Sequence, residues 1–162
     1  MPILKTANKK GAYRGNRDKE NVINYVLSDS KVKSGLCGGF CIDKANIVGS
    51  MEAVSVYFGK TKGVQLRHFI LSFHPKETQD KMLVAEIGYR VAQVFSQKYQ
   101  VVYAVHENKP SLHIHFVTNS VSYVDGSRYY GTRKEFYEIM EFIQYLLAEY
   151  GFGKLIYASK GE

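Results

Sequence analysis

Two histidines separated by one residue stand in an apolar stretch of the chain, in the sequence LHIHFVTN at residues 112 to 119. Because side chains alternate along a β-strand, His113 and His115 point to the same face, about 7 Å apart at ~3.4 Å per residue. This spacing suits the binding of one metal ion. A single histidine on a sheet face is more often a hydrogen-bonded core residue than a ligand, so a metal site needs a third donor.

The third donor is predicted to come from the preceding strand, which ends at His106. Only a short connection separates the two strands, and short connections join antiparallel neighbours. His106, His113 and His115 are therefore expected on one face of a hairpin. Three neutral imidazole ligands with open positions describe a catalytic metal site, because water or substrate oxygen atoms can complete the coordination. Glu107 beside this site could orient an imidazole, and it is equally ordinary as a turn residue at a strand end.

A candidate nucleophile lies in the segment NVINYVLSDSK at residues 21 to 31. Its apolar residues define one face of a helix at the 3.6-residue period, and Tyr25 lies away from the centre of that face. A phenol with a pKa of about 10 is a weak nucleophile, so it needs a base or a nearby cation. The alternative is that Tyr25 is an amphipathic residue at the border of the apolar face, with a structural role only.

Hydrophobic periodicity predicts the elements that must position these side chains. The predicted helices span residues 18 to 30, 44 to 58, 78 to 99 and 133 to 150, the last one capped by Gly151. The predicted strands are a short one within residues 1 to 17 and longer ones at 35 to 42, 63 to 74, 100 to 108 and 111 to 119. Asp125 and Gly126 predict a hairpin-type turn between two further short strands. This order indicates an α+β fold, with one mainly antiparallel sheet and helices packed against it.

The composition fits a single domain over residues 1 to 162, since 45% of the residues are hydrophobic and 23% are charged. The 22 Lys and Arg residues exceed the 15 Asp and Glu residues, for a net charge of +7. A positive surface field favours polyanions such as nucleic acid.

Cys37 and Cys41 form neither a C-x-x-C redox pair nor a four-ligand zinc site, so we predict two buried thiols in a reducing compartment. The sequence contains no signal-peptide pattern and no apolar run of about 18 residues, the length that a membrane helix requires. We therefore expect a cytoplasmic protein with no membrane segment.

Three segments together resemble the relaxase and mobilization-nuclease family, within the larger set of endonucleases defined by a His-hydrophobe-His motif. NVINYVLSDSK resembles the first family motif with its tyrosine, and LRHFILSFHPKE resembles the second with its His-x-x-x-Ser-Phe signature. VHENKPSLHIHFVTNSVSYVDGSRYY resembles the third. The resemblance runs over nearly the whole chain, although Val32 stands where relatives commonly have Thr.

The resemblance implies the relaxase fold and a transesterification on single-stranded DNA at the transfer origin of a conjugative plasmid or integrative element. Tyr25 would attack the scissile phosphate, which leaves a 5′-phosphotyrosine link and a free 3′ hydroxyl. His106, His113 and His115 would hold a divalent cation, Mg²⁺ or Mn²⁺. The resemblance also leaves room for accessory relaxosome proteins as partners. Relatives commonly continue beyond the point where this chain ends, so we expect an isolated nuclease domain or a minimal relaxase.

Other residues receive weaker expectations from the same resemblance. His68 and Ser72 would lie near the DNA or the tyrosine without a firm role, and Asn119 would support the end of its strand. The basic segments 5 to 17 and 60 to 67 would bind backbone phosphates. Tyr129 and Tyr130 would be exposed and stack on unpaired bases.

Two alternatives remain open. The chain could be a metal-containing DNA-binding module without turnover, or a rolling-circle replication initiator, which uses the same constellation of residues. A nucleotide hydrolase of the histidine-triad type is disfavoured, because its motif requires a third alternating histidine and residue 117 is Val.

Overall fold

The fold is a six-stranded sheet with four helices, seen in a computed structural model that describes residues 1–8 and 13–158. The strands are β1 (Ile3–Thr6), β2 (Cys37–Phe40), β3 (Leu66–Ser72), β4 (Val101–His106), β5 (His113–Asn119) and β6 (Ile156–Tyr157). The helices are α1 (Asn16–Val26), α2 (Ile47–Tyr57), α3 (Lys81–Phe95) and α4 (Arg133–Glu149).

The strands lie in the order β2-β4-β5-β3-β1-β6, and every neighbouring pair is antiparallel except β1 and β6. The predicted α+β class and the predicted order of elements are confirmed, and β6 is an additional strand that the periodicity did not indicate. β4 and β5 form the predicted hairpin at the centre of the sheet, with His106 opposite His113 and Ala104 opposite His115.

Both faces of the central strands are covered, because helices pack on each side. On one face, α3 and α4 bury side chains against residues such as Ile114 and Phe116. On the other face, α1 and α2 pack Val26 and Met51 against Val117. Every residue of β4 is buried as a result. The second face carries the histidines, so α1 and α2 are the helices that border them.

A buried ion pair joins the two helices on the histidine side. Lys19 of α1 is only 1% exposed, and its Nζ lies 2.6 Å from Oε2 of Glu52 in α2. Buried ion pairs contribute little net stability, because both charges lose hydration, but removal of one partner leaves a costly unpaired charge. The pair therefore ties α1, which carries Tyr25, to α2.

Several elements are shorter than the predicted ranges. α3 begins after Asp80, whose side chain accepts hydrogen bonds from the backbone N–H groups of Met82 and Leu83. α4 begins with a capping box between Thr132 and Glu135 and ends before Gly151, as predicted. These side chains accept hydrogen bonds from backbone N–H groups of the first turn, which have no partner within the helix. The caps therefore define where each helix begins more sharply than hydrophobic periodicity can.

Two predictions about the edges of the fold are wrong. Cys37 and Cys41 are both exposed rather than buried: Cys37 begins β2, an edge strand with a neighbour on one side only, and Cys41 follows the end of that strand. The turn at Asp125 and Gly126 exists, with Gly126 at a φ of 71°. Its flanking strands are reduced to a single bridge between Val121 and Arg128.

Within the described ranges, none of the helices combines the length and the apolar character needed to cross a membrane.

Candidate active site

Three histidines converge at the turn end of the β4–β5 hairpin, beside the connection that joins the two strands. One ring nitrogen of each of His106, His113 and His115 lies within 4.8 Å of the others. His106 and His115 are buried and His113 is half-buried. The antiparallel register explains the cluster, since His106 and His113 are directly opposite and His115 follows two residues later on the same face.

Backbone carbonyls determine which nitrogen of two rings carries hydrogen. His106 Nε2 lies 2.7 Å from the carbonyl oxygen of Val26, and His113 Nδ1 lies 3.0 Å from that of Ser111. A carbonyl can only accept, so these two nitrogens donate. In a neutral ring the other nitrogen then keeps its lone pair. The free lone pairs are those of His106 Nδ1 and His113 Nε2.

Two of the cluster's nitrogens have no hydrogen-bond partner. Among the described residues, His106 Nδ1 and His115 Nε2 are buried and unpaired. A buried polar atom without a partner costs roughly 1–3 kcal/mol, so such an atom needs a reason. A divalent cation bound by three imidazole lone pairs would supply that reason. The donor set therefore fits a metal ion.

Burial keeps these imidazoles neutral. Loss of hydration lowers the pKa of His106 to about 4, against the opposing effect of the Val26 carbonyl. Burial also lowers the pKa of His113 and that of His115, and for His115 the neighbouring imidazoles act in the same direction. Neutral imidazole is the form that binds a metal. The cluster is thus in its ligand form at neutral pH.

The metal-free protein should lose stability on mild acidification. Because the pKa of His106 is about 4 in the folded chain, below the usual value of 6.5, the unfolded chain binds the proton first as the pH falls. The contribution of His106 to the free energy of unfolding is present above pH 6.5 and is lost as the pH approaches 4. From this residue alone the loss amounts to about 3 kcal/mol.

Urea unfolding in the presence of a chelator measures the free energy of unfolding at about pH 7 and about pH 5. Both values lie above the pH range in which most carboxylates titrate, so the difference reports mainly on histidine. His106→Gln is the control, because its amide can still donate to the Val26 carbonyl but cannot titrate. We expect a shallower pH dependence for this variant. An equal dependence in both proteins would contradict the assignment.

Tyr25 lies beside the histidine cluster. Its ring centroid is 5.8 Å from that of His106 and 5.9 Å from that of His115, and 48% of the residue is exposed. The Nζ of Lys31 lies 4.9 Å from the centroid of the Tyr25 ring. The phenol is therefore open to solvent, next to a cation and next to the imidazoles, as its position off the apolar face of the helix predicted.

Glu107 holds the segment that carries Lys31. Its carboxylate accepts from the backbone N–H and the hydroxyl of Ser34, at 2.8 and 2.9 Å, and lies 3.4 Å from Lys81 Nζ. Its backbone N–H donates to the carbonyl of Lys31. These hydrogen bonds lower the pKa of the carboxyl group although burial opposes the shift. Of the two interpretations open for Glu107, the geometry favours a structural residue at a strand end over an imidazole-orienting one.

His68 contacts the cluster from β3, and Ser72 lies on the same strand beside it. His68 Nε2 lies 2.7 Å from His115 Nδ1, and Ser72 is opposite His113 in the pairing of β3 with β5. Asn119 lies at the other end of β5, where its side-chain amide donates to the carbonyl of Met51 and to Gln100. Asn119 is thus distant from the cluster along its strand.

The exposure predicted for two tyrosines has a mixed outcome. Tyr130 is 67% exposed, but Tyr129 is only 7% exposed, so the prediction that Tyr129 is exposed is wrong. Its ring packs edge-on against Phe69, which buries it. Residues 9 to 12 of the basic segment 5 to 17 lie outside the described residues.

A comparison with protein families decides the identity. The family model described as "Relaxase: MobA/VirD2-like, nuclease domain" matches residues 22–152. The chain belongs to this relaxase family. The matched range includes the candidate tyrosine and the three histidines, so the resemblance seen in the motifs is confirmed.

Two proteins of Staphylococcus aureus, each named Protein rlx, are similar to this relaxase-family chain. One is 32% identical over 136 residues, which cover 83% of the chain and 38% of the relative. The other is 29% identical over 136 residues, which cover 83% of the chain and 39% of the relative. The chain thus spans less than two fifths of the length of these curated relatives. No solved structure matches it significantly.

Two side chains of this relaxase-family site were missed by the sequence reasoning. Lys31 lies in the segment NVINYVLSDSK but received no role, although a candidate tyrosine nucleophile needs a base or a nearby cation. Tyr13, whose hydroxyl lies 3.2 Å from His68 Nδ1, has no periodic or motif signal around it. Only the tertiary structure brings it to the site.

Proposed function

We propose that this relaxase-family chain nicks single-stranded DNA at a transfer origin, in the mobilization of a conjugative plasmid or integrative element. Tyr25 is the nucleophile, and His106, His113 and His115 hold a divalent cation. Residues 1–162 act as one nuclease domain in the cytoplasm, with accessory relaxosome proteins as further partners. The observation that carries the proposal is the exposed phenol within 6 Å of an imidazole cluster whose inner nitrogens are unpaired.

The cation is expected to be Mn²⁺ or Mg²⁺. Mg²⁺ prefers oxygen ligands, whereas imidazole nitrogens suit transition metals better, so Mn²⁺ is the better probe of this site. When bound, the cation would offset negative charge on the phosphate oxygens, a contribution of several kcal/mol.

The side chain of Tyr25 supplies the covalent step. Its phenolic oxygen loses a proton and forms a bond to the scissile phosphorus, while the bond from that phosphorus to the 3′ oxygen breaks. The departing 3′ oxygen takes up a proton, so the proton count is unchanged. One phosphodiester replaces another, and the 3′ hydroxyl can attack in reverse to rejoin the strand.

Lys31 is the residue placed to assist this step. Its ammonium group lies 4.9 Å from the centroid of the Tyr25 ring, and its positive charge would attract the phosphate of the substrate. The backbone N–H of Glu107 donates to the carbonyl of Lys31, which ties the segment that carries Lys31 to the end of β4. The net charge of +7 supports a polyanionic substrate more generally.

Labelled single-stranded oligonucleotides from a candidate transfer origin test the proposal directly. Incubation with the purified protein and Mn²⁺ should yield a covalent protein–DNA adduct that survives denaturing electrophoresis and is absent when a chelator is added. A label at the 3′ end of the oligonucleotide should travel with the protein, because the protein keeps the 5′ phosphate of the downstream fragment. The upstream fragment should carry a 3′ hydroxyl that a polymerase extends. DNA binding without any adduct would contradict the proposal and support a binding module.

A further inference from the structure

We propose that Tyr13 and His68 form a positioning pair that fixes the tautomer of His115 and so presents its Nε2 lone pair to the cation. The inference rests on the metal role proposed above for the three histidines. It adds a function for two side chains outside the ligand set, one of which no motif indicated.

His115 differs from the other two ligands in its hydrogen-bond partner. His106 and His113 donate to backbone carbonyls, which can only accept. His115 Nδ1 instead faces His68 Nε2 at 2.7 Å, and an imidazole nitrogen can either donate or accept. If His68 donated, Nδ1 of a neutral His115 would hold the lone pair and the hydrogen would sit on Nε2, at the cluster. Metal binding therefore requires that His68 accept.

Tyr13 determines the direction of this hydrogen bond. Its hydroxyl lies 3.4 Å from the carbonyl oxygen of Ala7 and 3.2 Å from His68 Nδ1. In the arrangement that we infer, the single hydrogen of the phenol points to the Ala7 carbonyl, which can only accept, and the phenol oxygen accepts from His68 Nδ1. The lone pair of His68 is then on Nε2, where it accepts from His115 Nδ1. The Nε2 lone pair of His115 is left facing the cluster.

The atom left over by this chain of hydrogen bonds is the one that lacks a partner. Among the residues that the structure describes, His115 Nε2 is buried and unpaired. At metal sites, a histidine ligand commonly donates the N–H of its other ring nitrogen to a neighbouring acceptor, which orients the ring and raises the basicity of the ligand nitrogen.

The backbone around the pair is held in place, partly at a conformational cost. Tyr13 has a φ of 62°, in the left-handed region that bulky residues rarely adopt. Its carbonyl accepts from the backbone N–H of Gln65 at 2.7 Å, and the Ala7 N–H donates to the carbonyl of His68 at 2.7 Å. Unfavourable backbone conformations persist mainly where the surroundings enforce them for function. Tyr13 and His68 are also buried, so solvent does not compete for their hydrogen bonds.

Mn²⁺ affinity of the purified chain, measured without DNA by electron paramagnetic resonance, tests the inference. His68→Leu removes the acceptor, and we expect a loss of roughly 10- to 100-fold in affinity. His68→Gln places an amide oxygen where it can accept from His115 Nδ1, so its affinity should stay close to that of the wild type. Tyr13→Phe removes only the hydroxyl, and a loss of about fivefold is expected, the size set by one neutral hydrogen bond.

Tyr129→Phe is the matched control for Tyr13→Phe. It also removes a buried phenol hydroxyl, but on the face of the sheet covered by α3 and α4. Its Mn²⁺ affinity should equal that of the wild type. Thermal unfolding of each variant in a chelator shows that it is folded before Mn²⁺ is added.

The outcomes separate this inference from the proposed function. Wild-type affinity in both His68→Leu and Tyr13→Phe would overturn the positioning pair and leave the nuclease proposal intact. Equal losses in His68→Gln and His68→Leu would also overturn it, because they would show a packing effect rather than a hydrogen-bond effect. Absence of Mn²⁺ binding in the wild type would overturn both proposals.

Discussion

Replacement of Tyr25 by Phe is expected to abolish the covalent adduct while Mn²⁺ binding and binding of the uncleaved oligonucleotide stay at wild-type levels. Phe lacks the oxygen that forms the bond to phosphorus, so the rate of adduct formation should fall by at least about three orders of magnitude. The ring remains, and its contacts with His106, His115 and Lys31 involve the ring face and edge rather than the hydroxyl. Denaturing electrophoresis measures the adduct, and fluorescence anisotropy measures DNA binding.

Tyr145→Phe is the matched control, because Tyr145 is also an exposed tyrosine but lies on α4, which covers the face of the sheet opposite the histidines. This variant should form the adduct at the wild-type rate. An adduct that persists in Tyr25→Phe would show that another residue is the nucleophile. If Tyr25→Phe instead kept every function of the wild-type protein, the chain would be a binding module without turnover.

The histidine cluster could be predicted because it depends on local geometry. Side chains two residues apart share a face of a strand, and a short connection forces the preceding strand to be the antiparallel neighbour. These two facts bring His106 opposite His113 without knowledge of the rest of the sheet. The amphipathic pattern of α1 likewise placed Tyr25 away from the core, although nothing local specified where α1 lies on the sheet.

Residues whose role depends on distant parts of the chain could not be predicted in this way. Tyr13 meets His68 across 55 positions of sequence, through the pairing of β1 with β3 and a backbone conformation that a tyrosine seldom adopts. The burial of Tyr129 depends on Phe69 from β3, and the exposure of Cys37 depends on the position of β2 at the sheet edge. Composition and periodicity contain no information on either.

Glu107 shows a further limit of inferring the role of a residue from its position in the sequence. Its position directly after His106 suggested a carboxylate that orients an imidazole, which is a common arrangement at metal sites. The structure turns that carboxylate to Ser34 and Lys81 instead, and the orienting contact to His115 comes from His68 on β3. Adjacency in sequence places neighbours of a strand residue on opposite faces, so the next residue in the chain is a poor guide to the next residue in space.

Replacement of His115 by Leu is expected to abolish the stabilisation that Mn²⁺ gives to the folded protein. At a free Mn²⁺ concentration 100 times the dissociation constant, binding should raise the free energy of unfolding by about 2.7 kcal/mol. For a domain of this size that corresponds to an increase of about 5–10 °C in Tm. Leu has a similar volume but no ligand atom, so Tm of the variant should be the same with Mn²⁺ and with a chelator. Adduct formation should be lost together with the Tm increase.

His74→Leu is the control for nonspecific binding of Mn²⁺ to histidine, because His74 is exposed and outside the cluster. This variant should keep the full Mn²⁺-dependent increase in Tm. In the wild type the increase should shrink only as the pH approaches 4, since burial lowers the pKa of His106 to about 4 and protons compete with the cation for its lone pair only near that pH. A persistent Mn²⁺ effect in His115→Leu would place the cation elsewhere, because this variant lacks the ligand atom of residue 115 while its β4–β5 hairpin stays paired.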